Sequence, residues 1–502
     1  MPRPNILLVM FDQLAALSLP AYGHPLVRTP VLDRVAARGT VLESAYCAAP
    51  LCSPSRFAML TGCLPSRIGA FDNAAELPSS VPTLLHYLRD AGWRTCLAGK
   101  MDFAGADQLH GYEERLTTDL SPSDFGWTPD WDRPDAVQPW YHTLQSVVEA
   151  GPSDYSLTLH YDEEACSRAV QWLHEVAARP DGRPFLLTAS FMHPHDPYLG
   201  PRRYWDLYDE AAIDLPALGR QDDAPGRRMH RLYDRDEHAI GPAEIRRARR
   251  AYYAMISYCD ELLGRLLATL ERLDLAGDTI LVVTSDHGDM LGERGLWYKM
   301  VFFERALRVP LIAAGPGIAA GHRVPQGVSQ LDLLPTLLEL ATGAPFTPAS
   351  PIDGRSVAAA LRGEGRPDGE VLAEYAGEGY AAPAVMIRRG DRKLVHSRAD
   401  GTALYDLAAD RLEAVDLARD PAHADAVAAL AAEAERRWDL TALDAAVRDS
   451  QRRRRLVHRA LTRGRVAPWD YEPRPDPAGL YYRNWSAGQP DPERPLRLPR
   501  VR

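Results

Sequence analysis

Short apolar runs alternate with stretches of helical period through the first 345 residues. The runs 5–11, 94–98, 185–191, 279–285 and 309–314 are bounded by turn residues and predict strands. The stretches 31–38, 54–61, 82–91, 161–178, 243–272 and 329–341 predict helices. Strands alternating with helices imply a largely parallel sheet covered by helices, an α/β fold over 1–345.

Two segments break this rhythm. Segment 104–155 is rich in Asp, Pro, Gly and Trp and has no period; a long irregular stretch inside a compact domain is usually functional. Segment 198–242 is polar and irregular, and reads as surface. Turn residues then accumulate over 343–370 (Gly343, Pro345, Pro348, Pro351, Gly354, Gly363, Gly365) and mark a boundary. Beyond it, 384–397 and 402–407 read as antiparallel strands, and 421–438 and 441–463 as helices, so 366–465 forms a smaller α+β unit. The tail 466–502 is rich in Pro and Arg and carries Trp469, Tyr471, Tyr481, Tyr482 and Trp485. It reads as an extended segment lying against protein, its own or a neighbouring subunit's. No internal repeat is visible.

Composition narrows the classes. The 502 residues carry a formal net charge of −10 without a basic stripe, which argues against nucleic-acid binding. The N-terminus passes from Met1-Pro2-Arg3-Pro4 straight into the first strand, and no run is apolar enough to span a bilayer. Six irregularly spaced cysteines in so large a chain point to free thiols, and together these features predict a cytoplasmic protein. Among 58 Lys plus Arg only three are lysines, Lys100, Lys299 and Lys393. A lysine that survives such a bias can mark a site needing a compact ammonium.

Four strand-like runs end in a reactive residue. Asp12 follows 5–11, Lys100 follows 94–98, His195 closely follows 185–191, and Asp286 and His287 follow 279–285. Ligands of open α/β sheets bind beyond the carboxyl ends of the strands, so the four point to one site. In Leu51-Cys52-Ser53-Pro54-Ser55-Arg56, Ser53 reads as an N-cap, Pro54 suits a first turn and Gly62 a stop, which puts Cys52 at a helix N-terminus suited to an anion.

Cys52-Ser53-Pro54-Ser55-Arg56 resembles the C-x-P-x-R sequence of type I sulfatases, whose cysteine is oxidised by a separate formylglycine-generating enzyme. Thr61-Gly62, Pro65-Ser66-Arg67, Asp12-Gln13, Ser285-Asp286-His287-Gly288, Pro194-His195-Asp196-Pro197 and Trp297-Tyr298-Lys299-Met300 extend the resemblance along the chain. Within the family, 71–76, 107–111, 113–119, 124–130 and 192–198, with Trp469-Asp470-Tyr471 and Tyr482-Arg483-Asn484, resemble the choline sulfatase subgroup.

The resemblance implies an alkaline phosphatase-like fold and hydrolysis of a sulfate monoester, choline-O-sulfate or a related alkyl sulfate. It implies one divalent cation (calcium, manganese or magnesium) held by Asp12, the modified Cys52, Asp286 and His287, with Gln13 as a further oxygen ligand. One hydroxyl of the formylglycine hydrate attacks sulfur and the other drives sulfate release. Arg56 stabilises the ionised hydrate, Lys100 and Lys299 bind sulfate, and His195 protonates the leaving alkoxide as an imidazolium. Asn73, Trp127, His142 and Glu378 surround the substrate's quaternary ammonium, while Trp131 and Trp140 read as packing anchors. The subgroup also implies a homo-oligomer, a dimer or tetramer joined through the tail.

One position departs from the family. Gly99-Lys100-Met101-Asp102 stands where Gly-Lys-x-His is usual. Lys100 and the cation are expected to depress Asp102's pKa and make it a weaker base than the histidine. Two other readings compete. One is a phosphonate monoester or phosphodiester hydrolase on the same fold; the other is a catalytically silent choline-binding protein in which Cys52 stays a thiol.

Overall fold

A computed structural model describes residues 3–233, 238–466 and 469–473. Eight strands cross the main sheet: β1 Asn5–Phe11, β2 Thr40–Tyr46, β3 Arg94–Gly99, β4 Glu114–Arg115, β5 Phe185–Phe191, β6 Thr279–Ser285, β7 Leu311–Ala314 and β8 His322–Ser329. Their order is β8-β2-β7-β6-β1-β5-β3-β4, and a ninth strand, Arg308–Val309, pairs with β2. Every pairing is parallel except those made by β7 and by Arg308–Val309. The central strands β5 and β6 are buried along their whole length, which requires cover on both faces. One set of helices, Pro30–Arg38, Leu157–Ala178 and Pro242–Arg272, packs together against the sheet; a second set comprises Cys52–Thr61, Leu84–Asp90 and Leu333–Thr342. This is the alkaline phosphatase-like arrangement expected from the sequence.

A second, antiparallel sheet follows in the order β9 Glu370–Tyr375, β10 Ala384–Arg389, β11 Arg392–Ser397 and β12 Gly401–Asp406. The helix Ala424–Trp438 packs on it, and the helix Leu440–Leu461 runs back to the 125–127 segment.

Several expectations need correction. Pro310 interrupts the run 309–314, because proline cannot donate to a ladder, and two separate strands result. The strands Thr40–Tyr46, His322–Ser329 and Glu370–Tyr375 escape sequence reading: polar residues interrupt all three, and a register shift breaks the second. Segment 198–242 is not merely surface. It contains the helix Ala224–Tyr233, which buries Met229, Leu232 and Tyr233 behind an Arg-rich outer face.

Lys393 finds its explanation here. On β11 it is fully buried, with Nζ 3.0 Å from Glu304 and 2.7 Å from Glu413. Glu304 also accepts a hydrogen bond from Tyr46 at the end of β2 (2.7 Å), and its N–H donates to Glu413 (2.8 Å). One compact ammonium therefore joins the two sheets through a dry carboxylate pair. Removing one partner of a buried ion cluster leaves an uncompensated charge. Lys393→Met is expected to lower unfolding free energy by about 3–5 kcal/mol, read as a lowered midpoint in denaturant titration.

Candidate active site

The four reactive strand ends do converge. Asp12, Lys100, His195 and Asp286-His287 all lie beyond the carboxyl ends of the adjacent strands β6, β1, β5 and β3. Gly99 permits the approach of two of these ends: its φ is 105°, and a Cβ there would lie 1.8 Å from the Ser190 carbonyl oxygen. The helix Cys52–Thr61 begins at Cys52 itself, with Leu51 as N-cap and no side-chain cap. Ser53 is thus not the cap expected; its N–H donates to Asn73 Oδ1 (3.1 Å) and its hydroxyl to the Asn73 carbonyl (3.3 Å). Pro54 lies in the first turn, and Gly62, at φ 66°, ends the helix as expected.

Asp12, Cys52, Asp286 and His287 each aim a donor atom at one point, all within 4.8 Å of one another and all buried. Cys52 Sγ lies 3.2 Å from His287 Nε2. His287 Nδ1 donates to the Gly288 carbonyl (3.0 Å), which leaves the Nε2 lone pair facing the cluster. Asp12 Oδ1 is buried with no hydrogen-bond partner. An orphaned carboxylate oxygen and an imidazole lone pair aimed together are the donors a divalent cation satisfies, so the residues fit the metal that the sequence implies. Here the thiol sulfur stands where an oxygen of the modified side chain would lie. Gln13, at φ 64°, touches the cluster through its backbone: its N–H donates to Asp286 Oδ1 (3.0 Å). Its side-chain oxygen is taken by Lys299 (2.7 Å), not by the cluster.

Cations frame this centre. Arg56, fully buried, holds Asp286 (2.8 Å), lies 3.3 Å from Asp12, and donates to the Lys100 carbonyl (2.8 Å) and Ser190 (2.9 Å). Lys100 Nζ contacts Asp12 at 2.5 Å. Burial alone would raise Asp12's pKa, but Lys100, His195 and Arg56 hold it well below the carboxylate range. Lys299 Nζ meets His195 Nε2 at 2.7 Å, while His195 Nδ1 donates to the Asp196 carbonyl (2.6 Å). Burial and then Lys299 lower the His195 pKa.

Asp102 sits at φ 62°, 3.3 Å from Lys100 and 3.6 Å from Arg56, with no hydrogen bond to Oδ2. Both of its neighbouring cations pull its pKa down, yet burial outweighs them and pushes it up to about 6. With Lys100 and Arg56 alone the carboxyl is raised and not depressed, because it is buried with no hydrogen bond to Oδ2.

One cavity of about 590 Å³ joins these groups to the substrate candidates. Cys52, Lys100, Asp102, His195 and Lys299 line it together with Asn73, Trp127, His142 and Glu378. His142 packs 4.8 Å from the Tyr298 ring, and burial lowers its pKa to about 3. Glu378 is buried, its Oε2 lacks a hydrogen-bond partner, and burial raises its pKa to about 7. Trp140 lines the cavity too, whereas Trp131 is an anchor, donating to the Gly377 carbonyl (3.2 Å). Of the tail aromatics, Trp469 donates to the Ser123 carbonyl (3.3 Å) and Tyr471 lies under Arg115, both against their own chain. Tyr481, Tyr482 and Trp485 lie outside the described residues.

Sequence reading missed Asp289. Its carboxylate accepts from Gln13 Nε2 (2.7 Å), Tyr198 (2.8 Å) and the N–H groups of Leu291 (2.9 Å) and Tyr298 (3.1 Å). It thereby fixes both Gln13 and the approach to Lys299. The signal was its position directly after Asp286-His287-Gly288, but a carboxylate's hydrogen-bond partners are not visible in sequence.

The family model described as Sulfatase matches residues 4–344, and the model described as Choline sulfatase enzyme C terminal matches 445–487. A choline-sulfatase of Rhizobium meliloti (strain 1021) is 44% identical over 495 residues, covering 96% of each chain. A sulfatase of Formosa agariphila is 32% identical, covering 68% of this chain and 69% of its own. Among solved structures, the phosphonate monoester hydrolase of Agrobacterium radiobacter superposes with a TM-score of 0.69 at 25% identity, covering 88% of this chain and 96% of that one. With a buried Asp-Cys-Asp-His centre on this fold and these relatives, the chain belongs to the sulfatase family and carries the C-terminal segment of its choline sulfatases.

Proposed function

We propose that the enzyme hydrolyses the sulfate ester of choline-O-sulfate or a close alkyl relative. The carrying observation is the single cavity: a metal-competent centre and two lysines at one end, and Trp127, His142 and the unpartnered Glu378 beside them. The far groups suit a quaternary ammonium, which is drawn to aromatic faces and carboxylates.

Asp12, Asp286 and His287 would hold a divalent cation with the side chain at position 52. When bound, that cation and the formylglycine hydrate supply an activated oxygen nucleophile at neutral pH. The chain's own residues do the remainder. Lys100 and Lys299 bind the sulfate oxygens and stabilise charge developing there. Arg56 orients Asp286 and Asp12 and is shielded from water. An arriving sulfate offsets the charge of Lys299 and raises the proton affinity of His195, which then protonates the departing choline oxygen. Asp102 serves as the base that removes a proton at position 52 during sulfate release. Asn73 steadies the first turn of the Cys52 helix through Ser53 and borders the leaving group.

A formylglycine-generating enzyme is the maturation partner in this reading, the compartment is the cytoplasm, and the tail joins a homo-oligomer. Among the described residues no helix is long and apolar enough to cross a membrane. The division at 345 and 466 into catalytic, α+β and tail parts belongs to the same reading. The likeness to a phosphonate monoester hydrolase favours a second reading, in which a phosphonate or phosphate diester is the substrate.

Parallel assays separate the two. Choline-O-sulfate is expected to be the better substrate over a phosphonate monoester or phosphate diester by kcat/KM. Peptide mass spectrometry is expected to find an aldehyde at position 52, and Cys52→Ala to be inactive. An unmodified thiol in protein co-produced with the modifying enzyme would favour a silent binding protein.

Asp102 works as a base only when ionised, so kcat is expected to fall along an acid limb as pH drops through the Asp102 pKa. Asp102→Asn should lower kcat by about a hundredfold or more and remove that limb; an unchanged acid limb in the variant excludes the role. Glu378 is neutral below about 7 and charged above it, so the KM for choline-O-sulfate should fall as pH rises through 7. Glu378→Gln should raise that KM roughly tenfold and flatten its pH profile.

A further inference from the structure

Three of the substrate candidates lining the cavity lie on loops. Asn73 follows an irregular turn after the Pro65–Ile68 helix, Trp127 lies in the aperiodic 104–155 segment, and Glu378 lies in the turn between β9 and β10. All three are tied to one face of the helix Leu440–Leu461. Arg454 makes a two-pronged pair with Asp72, next to Asn73, at 2.5 and 2.7 Å, and Asp72 is fully buried. Gln451 Oε1 accepts from the Trp131 N–H (2.9 Å). Arg448 donates to the Trp131 carbonyl (2.6 Å) and to the Ala381 carbonyl (2.7 Å), bridging the Trp127 and Glu378 loops. Arg455 pairs with Asp130, and His458 lies 3.1 Å from Asp124. Positions 448, 451, 455 and 458 recur every three to four residues, so they form one stripe along the helix, with 454 beside it.

None of these residues lines the cavity. The metal-competent centre, by contrast, is held by strand ends and by Arg56. The two sides of the cavity thus rest mainly on different elements, linked through Asn73, which accepts from the Ser53 N–H of the Cys52 helix. The main sheet and the Cys52 helix position the sulfate chemistry, and the Leu440–Leu461 helix positions the alcohol side.

We propose that the Leu440–Leu461 helix determines alcohol specificity, with Arg454 as its principal positioning residue acting through Asp72 on Asn73, and with Arg448 and Gln451 doing the same for the Trp127 and Glu378 loops. This rests on the reading of a cationic alcohol given above. A buried bidentate Arg–carboxylate pair fixes distance and plane together, which a lysine or a water cannot reproduce.

The test compares choline-O-sulfate with p-nitrophenyl sulfate, which carries no cation, in the full-length modified enzyme. Arg454→Met is expected to raise KM for choline-O-sulfate about tenfold while kcat/KM for p-nitrophenyl sulfate falls by clearly less, since Asn73 also meets Ser53 of the Cys52 helix. Because Arg454→Met strands the buried Asp72 carboxylate and can unfold the chain, the double variant Asp72→Asn, Arg454→Met removes both charges. It is expected to fold and to show the same selective rise in KM. Arg454→Lys should recover only part of the loss, since it lacks the second prong. Equal losses on both substrates, or an unchanged KM for choline-O-sulfate in the double variant, overturn the inference. A wild-type enzyme that fails on choline-O-sulfate overturns the substrate reading, and the inference with it.

Discussion

The site depends on placing opposite charges together where water cannot reach them. Asp12 and Asp286 meet Arg56 and Lys100 with almost no exposure of any side chain. Neither set is tolerable alone in such a place, since an isolated buried ion is costly and carboxylates would take up protons to escape it. Together they hold Asp12 ionised and aim its free oxygen, with His287 Nε2, at one point. The binding geometry exists before any ligand arrives, so little reorganisation remains to be done during reaction. Strand ends suit this task, because parallel pairing of β6, β1, β5 and β3 sets the spacing of the residues that follow them.

The same dryness acts differently on groups without a hydrogen-bonded counter-charge. Glu378 has no donor at Oε2 and drifts up toward neutrality; His142 and His287 lose affinity for a proton. Asp102 has two cations nearby yet still rises, since neither forms a hydrogen bond to its buried Oδ2 and burial outweighs their pull. A cavity that leaves its carboxyl groups short of partners is prepared for a ligand that supplies them. The donors around Cys52 fit a metal cation, and the reading proposed above sets an ammonium beside Glu378.

Much of this was legible in the chain. The β1, β5 and β6 runs fall where periodicity puts them, and Asp12, Lys100, His195, Asp286 and His287 follow their strands because active residues gather at the carboxyl edge of such sheets. The scarcity of lysine marked all three buried ammonium groups, two at the site and Lys393 between the sheets. Elements built from mixed polar sequence were harder to see. The Thr40–Tyr46 and His322–Ser329 strands and the Ala224–Tyr233 helix hold their places through neighbours distant in the chain, and a local pattern does not carry that information.

The order of elements, the residue types at the strand ends and the family can be read along the chain alone, since local periodicity and motif chemistry are written in short stretches. How those groups pair comes from the folded arrangement: His195 Nε2 faces Lys299, Gln13 serves Lys299 while Asp289 holds Gln13, and Asp102 is buried without a hydrogen bond to Oδ2. The reason is that a side chain's proton affinity and orientation depend on how much water it has lost and on which partners, hundreds of residues away, have replaced that water.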